Sequence, residues 1–186
     1  MLRAELNHVK NLEEFYNEIR QQQEQAQGLH YCAHHDAIAK YLESNDVYKE
    51  LGTHQGGTAA AACKMHPKQI ILIDNNMNLF KPNKKHFDKY CFENDIKLEV
   101  IESDSQSINT LKESDVMLID TVHKYDHIKK ELFLHGNLTR KYIIAHDTAT
   151  NPQLHKALEE YCSDQPWKVI ERFTKNVGYS VIGRKK

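Results

Sequence analysis

The residues best suited to chemistry in this chain lie at the ends of five short apolar segments. In chain order they are Glu50, Asp74, Asp104, Ser105, Asp120, His123, His146 and Asp147. If the segments are parallel strands of one sheet, their carboxyl ends share an edge, and the side chains that follow them converge on one crevice. Carboxylates and imidazoles in such a crevice can bind hydroxyl groups, exchange protons or hold a metal ion. An isolated Asp at a strand end more often forms a turn, but several polar ends in register favour a binding site.

A glycine-rich loop follows the first apolar segment. It reads Glu50-Leu-Gly-Thr-His-Gln-Gly-Gly-Thr58 and leads into a small-residue helix predicted from about Thr58 to Met65. We expect Gly52, Gly56 and Gly57 to allow positive φ angles and a close approach to a ligand, with Thr58 as the helix cap. The N–H groups at the helix start would receive a polar or anionic group. The spacing is neither G-x-G-x-x-G nor a phosphate-binding loop, so it indicates a nucleotide-binding corner without naming the ligand.

The second segment, Ile70–Asp74, ends in a carboxylate that can accept hydrogen bonds from both hydroxyls of a ribose. The residue after it, Asn75, falls in the same predicted loop.

The elements that position these residues alternate along the chain. Two helices come first: an apolar stripe from Val9 to Ile19 predicts one that ends at Gly28, and the second is predicted from about His34 to Ser44. Five strands are predicted at Val47–Leu51, Ile70–Asp74, Leu98–Glu102, Val116–Asp120 and Tyr142–His146. The intervening helices are predicted around Thr58–Met65, Lys84–Glu93, Ser107–Leu111, Ile128–Leu134 and from Asn151-Pro152 to Tyr161, with Asn151 as cap.

The chain end breaks the alternation. Trp167–Phe173 and Tyr179–Gly183 predict two strands joined by a short turn, which form an antiparallel hairpin. The sequence therefore predicts an α/β, doubly wound, Rossmann-like sheet of seven strands, mostly parallel, closed by that C-terminal hairpin and preceded by two N-terminal helices. We expect one domain over residues 1–186, with residues 1–45 as a helical extension and 46–186 as the core.

Composition excludes some classes of function. The formal net charge of −1 argues against a protein built to grip nucleic acid. Cys32, Cys63, Cys91 and Cys162 are widely spaced, so neither a zinc knuckle nor a disulfide framework is indicated, and we expect buried free thiols at Cys63 and Cys91. We expect no signal peptide, because the N-terminus is charged and lacks an apolar core segment, and no membrane span, because no apolar run has the required length. We expect a soluble, cytoplasmic protein.

Four segments together resemble a known family. These are the glycine loop, Asp74 after the second strand, Leu118-Ile-Asp-Thr-Val-His-Lys-Tyr125 and Ile143-Ile-Ala-His-Asp-Thr148. They look like class I S-adenosylmethionine-dependent methyltransferases, most of all the compact branch of macrocin-type sugar O-methyltransferases and cephalosporin hydroxylase-like proteins. The resemblance runs from about Asp46 to Arg184. Its Ile-Asp-x-x-His-x-Tyr segment is the more specific motif.

The resemblance implies S-adenosylmethionine as cofactor and a small-molecule methyl acceptor. It implies that the glycine loop holds the methionine and ribose, that Asp74 binds the ribose hydroxyls, and that Asp104 and Ser105 lie against the adenine. The implied cofactor-binding residues are Glu50, Gly52, Thr53, His54, Gln55, Gly56, Gly57, Thr58, Asp74, Asn75, Asp104, Ser105, Asp120 and His123.

The resemblance also implies catalytic roles for His123, His146 and Asp147, with Asp120 and His123 facing the methyl group. Metal-dependent members hold one divalent ion, magnesium or manganese, at the positions of Asp120, His146 and Asp147. Here a histidine stands where those members have an acid, which either weakens the metal assignment, because magnesium prefers oxygen ligands, or favours a softer ion. Either a histidine base or a metal could remove the acceptor's proton. His123 could instead only pin its loop through Asp147.

Further alternatives stay open. The cluster His30-Tyr-Cys-Ala-His-His35 could form a metal site or a lid, but we expect ordinary surface histidines. An NAD-dependent oxidoreductase also suits Asp74, although the glycine spacing does not. A non-methylating sensor or scaffold could keep the same pocket. The chain lacks an inserted substrate cap, so the acceptor site is either open or completed by a second subunit in a homo-oligomer.

Overall fold

The structure is a computed structural model that describes Leu6, residues 8–108 and residues 110–185. The described helices are α1 (Leu12–Gln27), α2 (Ala33–Tyr41), α3 (Gly57–Cys63), α4 (Lys84–Glu93), α5 (Tyr125–His135) and α6 (Pro152–Asp164), with a 3₁₀ turn at Gly136–Leu138. The strands are β1 (Val47–Leu51), β2 (Gln69–Asp74), β3 (Lys97–Glu102), β4 (Ser114–Ile119), β5 (Thr139–His146), β6 (Trp167–Phe173) and β7 (Tyr179–Arg184).

The seven strands form one sheet in the order β3-β2-β1-β4-β5-β7-β6. The first five strands pair in parallel, and β7 runs antiparallel between β5 and β6. The predicted α/β sheet with its C-terminal hairpin is confirmed. The order in which strands are added reverses at the centre of the sheet: β2 and β3 lie on one side of β1, and β4 and β5 lie on the other. The neighbours β1 and β4 therefore form the switch point at which open α/β sheets bind ligands.

Apolar side chains cover both faces of the sheet. Every residue of β1 is buried, as expected for the central strand of a parallel sheet. Tyr48 faces the layer formed by α1 to α4, whereas Leu51 faces the layer formed by α5 and α6. Burial on both sides fixes the register, because a shift of one residue would exchange the two faces.

The two N-terminal helices pack over α3 on one face of the sheet. α1 begins at a capping arrangement in which Asn11 Oδ1 accepts from Glu14 N at 2.9 Å, and Lys10 N donates to the Glu14 carboxylate at 3.0 Å. Gly28, at φ 94°, ends the helix as predicted. Phe15 and Ile19 are fully buried in the shared core. The helices are therefore part of this layer of the fold.

Two local predictions are wrong. The segment Ser107–Leu111 is not helical where it is described; Asp104 Oδ1 accepts from Gln106 N at 2.9 Å and forms a turn instead, which a five-residue segment cannot outweigh. Thr58 does not cap α3, because Gly56 is the N-cap residue. Asn151 is the N-cap residue of α6, as predicted, although its side chain makes no capping hydrogen bond.

The cysteines and the helices bear on two further expectations. Cys63 and Cys91 are buried free thiols, as predicted. Their sulfur atoms are 4.0 Å apart. Within the part of the chain that the structure describes, no helix combines the length and apolar character that crossing a bilayer requires.

Candidate active site

A cavity of about 330 Å³ opens at the carboxyl edge of the central strands. This is within the usual volume range of small-molecule sites. The described residues that line it come from the end of β2, from the loops after β1, β2, β3 and β4, and from α5: Gly52, His54, Ile73, Asp74, Asn75, Asn76, Leu79, Asp104, Ser105, Asp120, Thr121, Val122 and His127. Seven of the fourteen cofactor-binding residues predicted from the sequence line this cavity.

The cavity depends on a close approach between the ends of β1 and β4. Gly52 has φ 89°, and a Cβ added to it would lie 2.0 Å from the carbonyl oxygen of Asp120. Any other residue would force these strand ends apart. Gly52 thereby positions Asp120 at the switch point. Gly56 also has a positive φ, of 94°, whereas Gly57 does not and is simply the first residue of α3.

Asp74 anchors the glycine loop as well as lining the cavity. Its Oδ2 accepts from the backbone N–H groups of Thr53 at 2.8 Å and His54 at 3.0 Å. Its Oδ1 accepts from Asn76 N at 2.9 Å. A carboxylate has about four acceptor positions, so Oδ1 keeps capacity for one further donor. Asp74 Oδ1 can therefore accept a hydrogen bond from a ligand hydroxyl while Oδ2 holds the glycine loop.

Ser105 and Thr121, which both line the cavity, share one buried carboxylate. Ser105 Oγ donates to Glu131 Oε1 at 2.5 Å, and Thr121 Oγ1 donates to Glu131 Oε2 at 2.8 Å. His127 Nε2 lies 3.3 Å from the same carboxylate. Burial raises the pKa of Glu131, although these partners oppose the shift. Glu131 is absent from the sequence predictions, because only the fold shows that α5 runs beneath both loops.

The rest of the glycine loop lines a second, smaller cavity. It measures about 30 Å³, and its walls include Thr53, Gln55, Gly57 and Thr58 from the loop and α3. Residues of the N-terminal helices close the other side. Gly57 and Thr58 are buried, so the start of α3 is covered and does not open onto the surface.

Glu50 is not among the described residues that line either cavity. It is fully buried, and its Oε2 accepts from Tyr48 Oη at 2.6 Å. Burial raises the pKa of Glu50 to about 8, against the opposing effect of hydrogen bonds from Tyr48 and Thr58. Its Oε1 has no hydrogen-bond partner among the described residues.

Two histidines and two aspartates meet where β4 and β5 end. His123 Nε2 lies 2.9 Å from Asp147 Oδ2 and 3.5 Å from Asp120 Oδ1. His146 Nδ1 lies 3.3 Å from the same Asp120 oxygen. Asp147 has a left-handed φ of 59°, which Asp tolerates better than most residues. The structure thus brings together all the predicted catalytic residues, with Asp120 between them and the larger cavity.

The side chains of this cluster shift one another's pKa values. Hydrogen bonds to Asp120 and Asp147 raise the pKa of His123 to about 10. Burial alone would raise the pKa of Asp120, but His146 and His123 outweigh it and hold that pKa well below its usual range. Burial alone would lower the pKa of His146, but Asp120 raises it instead. The group therefore behaves as one coupled set of charges.

The predicted metal triad does not converge on one point. Asp120 lies beside Nδ1 of His146, whereas Asp147 Oδ1 lies 3.6 Å from Nε2, on the opposite side of the ring. One imidazole cannot direct both nitrogens at one ion. Among the described residues, two other sets have ligand atoms within 4.8 Å of each other: His34, Asp120 and His146, and Asp120, His123 and Asp147.

His34 and His35 are not surface residues, contrary to expectation. They are 3% and 2% exposed, because α2 packs over the glycine loop and the end of β5. The His34 and His146 rings have centroids 3.8 Å apart, and the Tyr31 ring lies 6.0 Å from His146. The sequence shows the histidine cluster but not its burial, because β5, which packs against it, is distant in the sequence.

Comparisons with known proteins identify the fold. No protein-family model and no curated protein matches this sequence. Among solved structures, a Streptococcus mutans protein assigned as a methyltransferase, in complex with SAH, is 11% identical over 82% of this chain and 96% of that one, with a TM-score of 0.59. A SAM-dependent O-methyltransferase from Thermotoga maritima is 12% identical over 83% of this chain and 64% of its own, at TM-score 0.57.

A Pyrococcus horikoshii protein assigned as an RNA methyltransferase is 14% identical over 81% of this chain and 85% of its own, again at TM-score 0.57. These similar structures differ in the acceptor that their names give. At such identities the likeness concerns the backbone. The chain has the Rossmann-like fold of class I SAM-dependent methyltransferases.

Proposed function

We propose that the protein transfers a methyl group from S-adenosylmethionine to an oxygen atom of a small molecule or sugar, as the macrocin-type resemblance implies. The observation that carries the proposal is the cavity at the β1/β4 switch point, with a carboxylate at the end of β2 on its wall. Asp74 Oδ1 retains acceptor capacity for a ribose hydroxyl.

The lining of the cavity suits the remainder of the cofactor. Ile73, Leu79 and Val122 supply apolar surface for the adenine, and Asp104 and Ser105 offer polar groups at its edge. The sulfonium end would lie toward Asp120, which lines both cavities. In this arrangement a carboxylate faces the positive charge of the cofactor, and burial strengthens that attraction.

Methyl transfer is an in-line displacement in which the carbon–sulfur bond breaks as the new oxygen–carbon bond forms. The sulfonium becomes neutral S-adenosylhomocysteine, and the acceptor hydroxyl loses its proton. Alignment of the two reactants and exclusion of water therefore supply much of the acceleration. The protein must in addition provide an atom that accepts the proton.

Asp147 is the best-placed proton acceptor of the cluster. Its Oδ1 is buried and has no hydrogen-bond partner within the described residues. His123 holds the other oxygen of the same carboxylate at 2.9 Å, and His146 flanks it at 3.6 Å. We assign His123 to orienting Asp147, and His146 to shaping the wall between Asp147 and the cofactor.

The cavity wall favours a small neutral acceptor over nucleic acid. Neither lysine nor arginine is among the described residues that line either cavity, whereas Asp74, Asp104 and Asp120 line the larger one. Phosphate backbones are bound mainly by lysine and arginine. The net charge of −1 agrees with this preference.

A turnover screen tests the proposal. The purified protein is incubated with methyl-labelled S-adenosylmethionine and separate panels of sugars, phenols and tRNA, and mass spectrometry follows S-adenosylhomocysteine and methylated product. Label should appear on a hydroxyl-bearing small molecule. Label on tRNA alone would overturn the acceptor assignment. Cofactor binding without turnover on any panel would favour the sensor or scaffold alternative.

A further inference from the structure

The imidazole rings of His34 and His146 pack against each other at a tilt in a buried position. Their centroids are 3.8 Å apart with the ring planes tilted by 36°, and the residues are 3% and 4% exposed. His34 comes from α2, whereas His146 ends β5. The packing of the N-terminal helices on the sheet is therefore what creates this pair.

Three of the four ring nitrogens of the pair are buried without a hydrogen-bond partner among the described residues. Neither nitrogen of His146 makes a hydrogen bond to a described residue, and Nδ1 of His34 makes none either. Buried polar atoms are nearly always paired, and an unpaired one costs about 1–3 kcal/mol. Unpaired nitrogens on both rings indicate a ligand, because one ion can accept a lone pair from Nδ1 of His34 and from one nitrogen of His146.

Asp120 completes a set of three donors. Its Oδ1 lies 3.3 Å from His146 Nδ1, without the geometry of a hydrogen bond, and the ligand atoms of all three residues lie within 4.8 Å of each other. Two ligands of a tetrahedral ion, each about 2.1 Å from it, are separated by roughly 3.4 Å. The spacing of the Asp120 oxygen and the His146 nitrogen fits that geometry.

We propose that His34, Asp120 and His146 bind a divalent first-row transition-metal ion of the zinc or ferrous type. Two imidazole nitrogens and one carboxylate are the donor set of catalytic zinc sites and of non-haem iron sites that keep open coordination positions. Magnesium prefers oxygen ligands and is disfavoured here. The site differs from the predicted triad, because His34 replaces Asp147.

The second candidate set, Asp120, His123 and Asp147, is less suited to an ion. His123 Nε2 already lies at hydrogen-bonding distance, 2.9 Å, from Asp147 Oδ2. Its side chain is also 30% exposed, so water can satisfy it. Among the described residues this set has one buried atom without a partner, Asp147 Oδ1, whereas the set with His34 has three, so we favour the set with His34. The proposed ion binds to the protein in the absence of S-adenosylmethionine, so its binding can be tested independently of methyl transfer.

Cobalt titration tests the site directly. Co²⁺ is added to metal-stripped protein, and its visible absorption bands report coordination by nitrogen and oxygen ligands. The wild type should show saturable bands at one equivalent, abolished by competing Zn²⁺ and unaffected by excess Mg²⁺. His34→Gln should weaken Co²⁺ binding by at least about 100-fold, since loss of an outer partner alone costs 10–100-fold.

Two histidine variants serve as matched controls. His35→Gln alters the buried neighbour of His34 on the same helix, and His66→Gln removes an exposed histidine. Both should bind Co²⁺ as the wild type does, and thermal unfolding confirms that each variant is folded. Absence of bands in the wild type overturns the proposal. Retained binding in His34→Gln with loss in His123→Gln overturns it too, because the ion would then occupy the other set.

Discussion

Asp74 and Thr53 are joined by a hydrogen bond of 2.8 Å from the backbone N–H of Thr53 to the Asp74 carboxylate. The end of β2 thereby fixes the start of the glycine loop that follows β1. The carboxylate assigned to the ribose is thus also the anchor of the loop assigned to the methionine. A substitution at Asp74 must affect both, and its consequences have to be separated.

A comparison of Asp74→Asn with Asp74→Ala should separate the loss of ribose binding from the loss of the loop anchor. The amide oxygen of Asn can still accept the loop N–H groups, whereas Ala leaves the N–H groups of Thr53 and His54 unpaired. We expect Asp74→Asn to stay folded and to lose about 1.5–3 kcal/mol of S-adenosylhomocysteine binding, the usual value for a hydrogen bond to a charged group. Calorimetry measures the affinity. Wild-type affinity in Asp74→Asn would contradict the ribose assignment, and exposed Asp88→Asn is the control.

Glu131 should matter for stability and for cofactor affinity together. Glu131→Ala leaves Ser105 Oγ and Thr121 Oγ1 without their shared acceptor beside the cavity. We expect the free energy of unfolding to fall by about 1–3 kcal/mol, with weaker S-adenosylhomocysteine binding. Glu131→Gln should retain most of both properties. Urea unfolding and calorimetry are the measurements, and a destabilised Glu131→Ala with unchanged affinity would show that the loops do not position the ligand.

Lys49 should make stability depend on pH. It is fully buried, its Nζ donates to the carbonyl oxygen of Lys112 at 2.8 Å, and burial lowers its pKa to about 7. An unfolded lysine has a pKa of about 10.4, so between about pH 7 and 10 the unfolded chain binds more protons. The free energy of unfolding should therefore rise with pH in that window, by on the order of 1 kcal/mol per unit.

Lys49→Met removes that contribution, so the free energy of unfolding of the variant, relative to that of the wild type, should fall from pH 7 to pH 9. The exposed Lys68→Met should leave the pH dependence unchanged. Urea denaturation at several pH values measures it. Parallel curves for Lys49→Met and the wild type would mean that Lys49 is not deprotonated in the folded protein.

His123 should affect turnover more than binding. His123→Gln removes the partner that orients Asp147 Oδ2 but leaves the cavity lining intact. With an acceptor from the turnover screen, we expect kcat to fall by up to about 10²–10⁴-fold, the usual contribution of an acid–base group such as the Asp147 carboxylate that His123 orients, while S-adenosylhomocysteine affinity changes little. An equal loss of both would indicate that His123 serves cofactor binding.

The sequence was sufficient for the elements that are encoded locally. Val47–Leu51 and Trp167–Phe173 were predicted with the observed bounds, because apolar strands flanked by turn residues leave few alternatives. The start of α5 was missed by three residues: Lys124, its N-cap residue, makes no side-chain capping bond that a sequence pattern could indicate. Short segments such as Ser107–Leu111 depend on tertiary context.

The parts of the site that the sequence could not supply depend on distant partners. His34 is buried only because α2 meets the end of β5, and helical periodicity does not say which face a remote strand covers. Glu131 joins two loops that are adjacent only in the folded chain. Residues at strand ends were predictable because parallel strands share one edge, whereas side chains contributed by helices were not.

Calorimetric titration of the metal-stripped protein with S-adenosylmethionine, S-adenosylhomocysteine and NAD tests the central claim most directly. We predict one-site binding of both sulfur compounds, at about micromolar affinity, and no heat with NAD. Binding of NAD in preference to either sulfur compound would assign the cavity to an oxidoreductase. Absence of binding to all three would contradict the claim that this cavity holds the methyl donor.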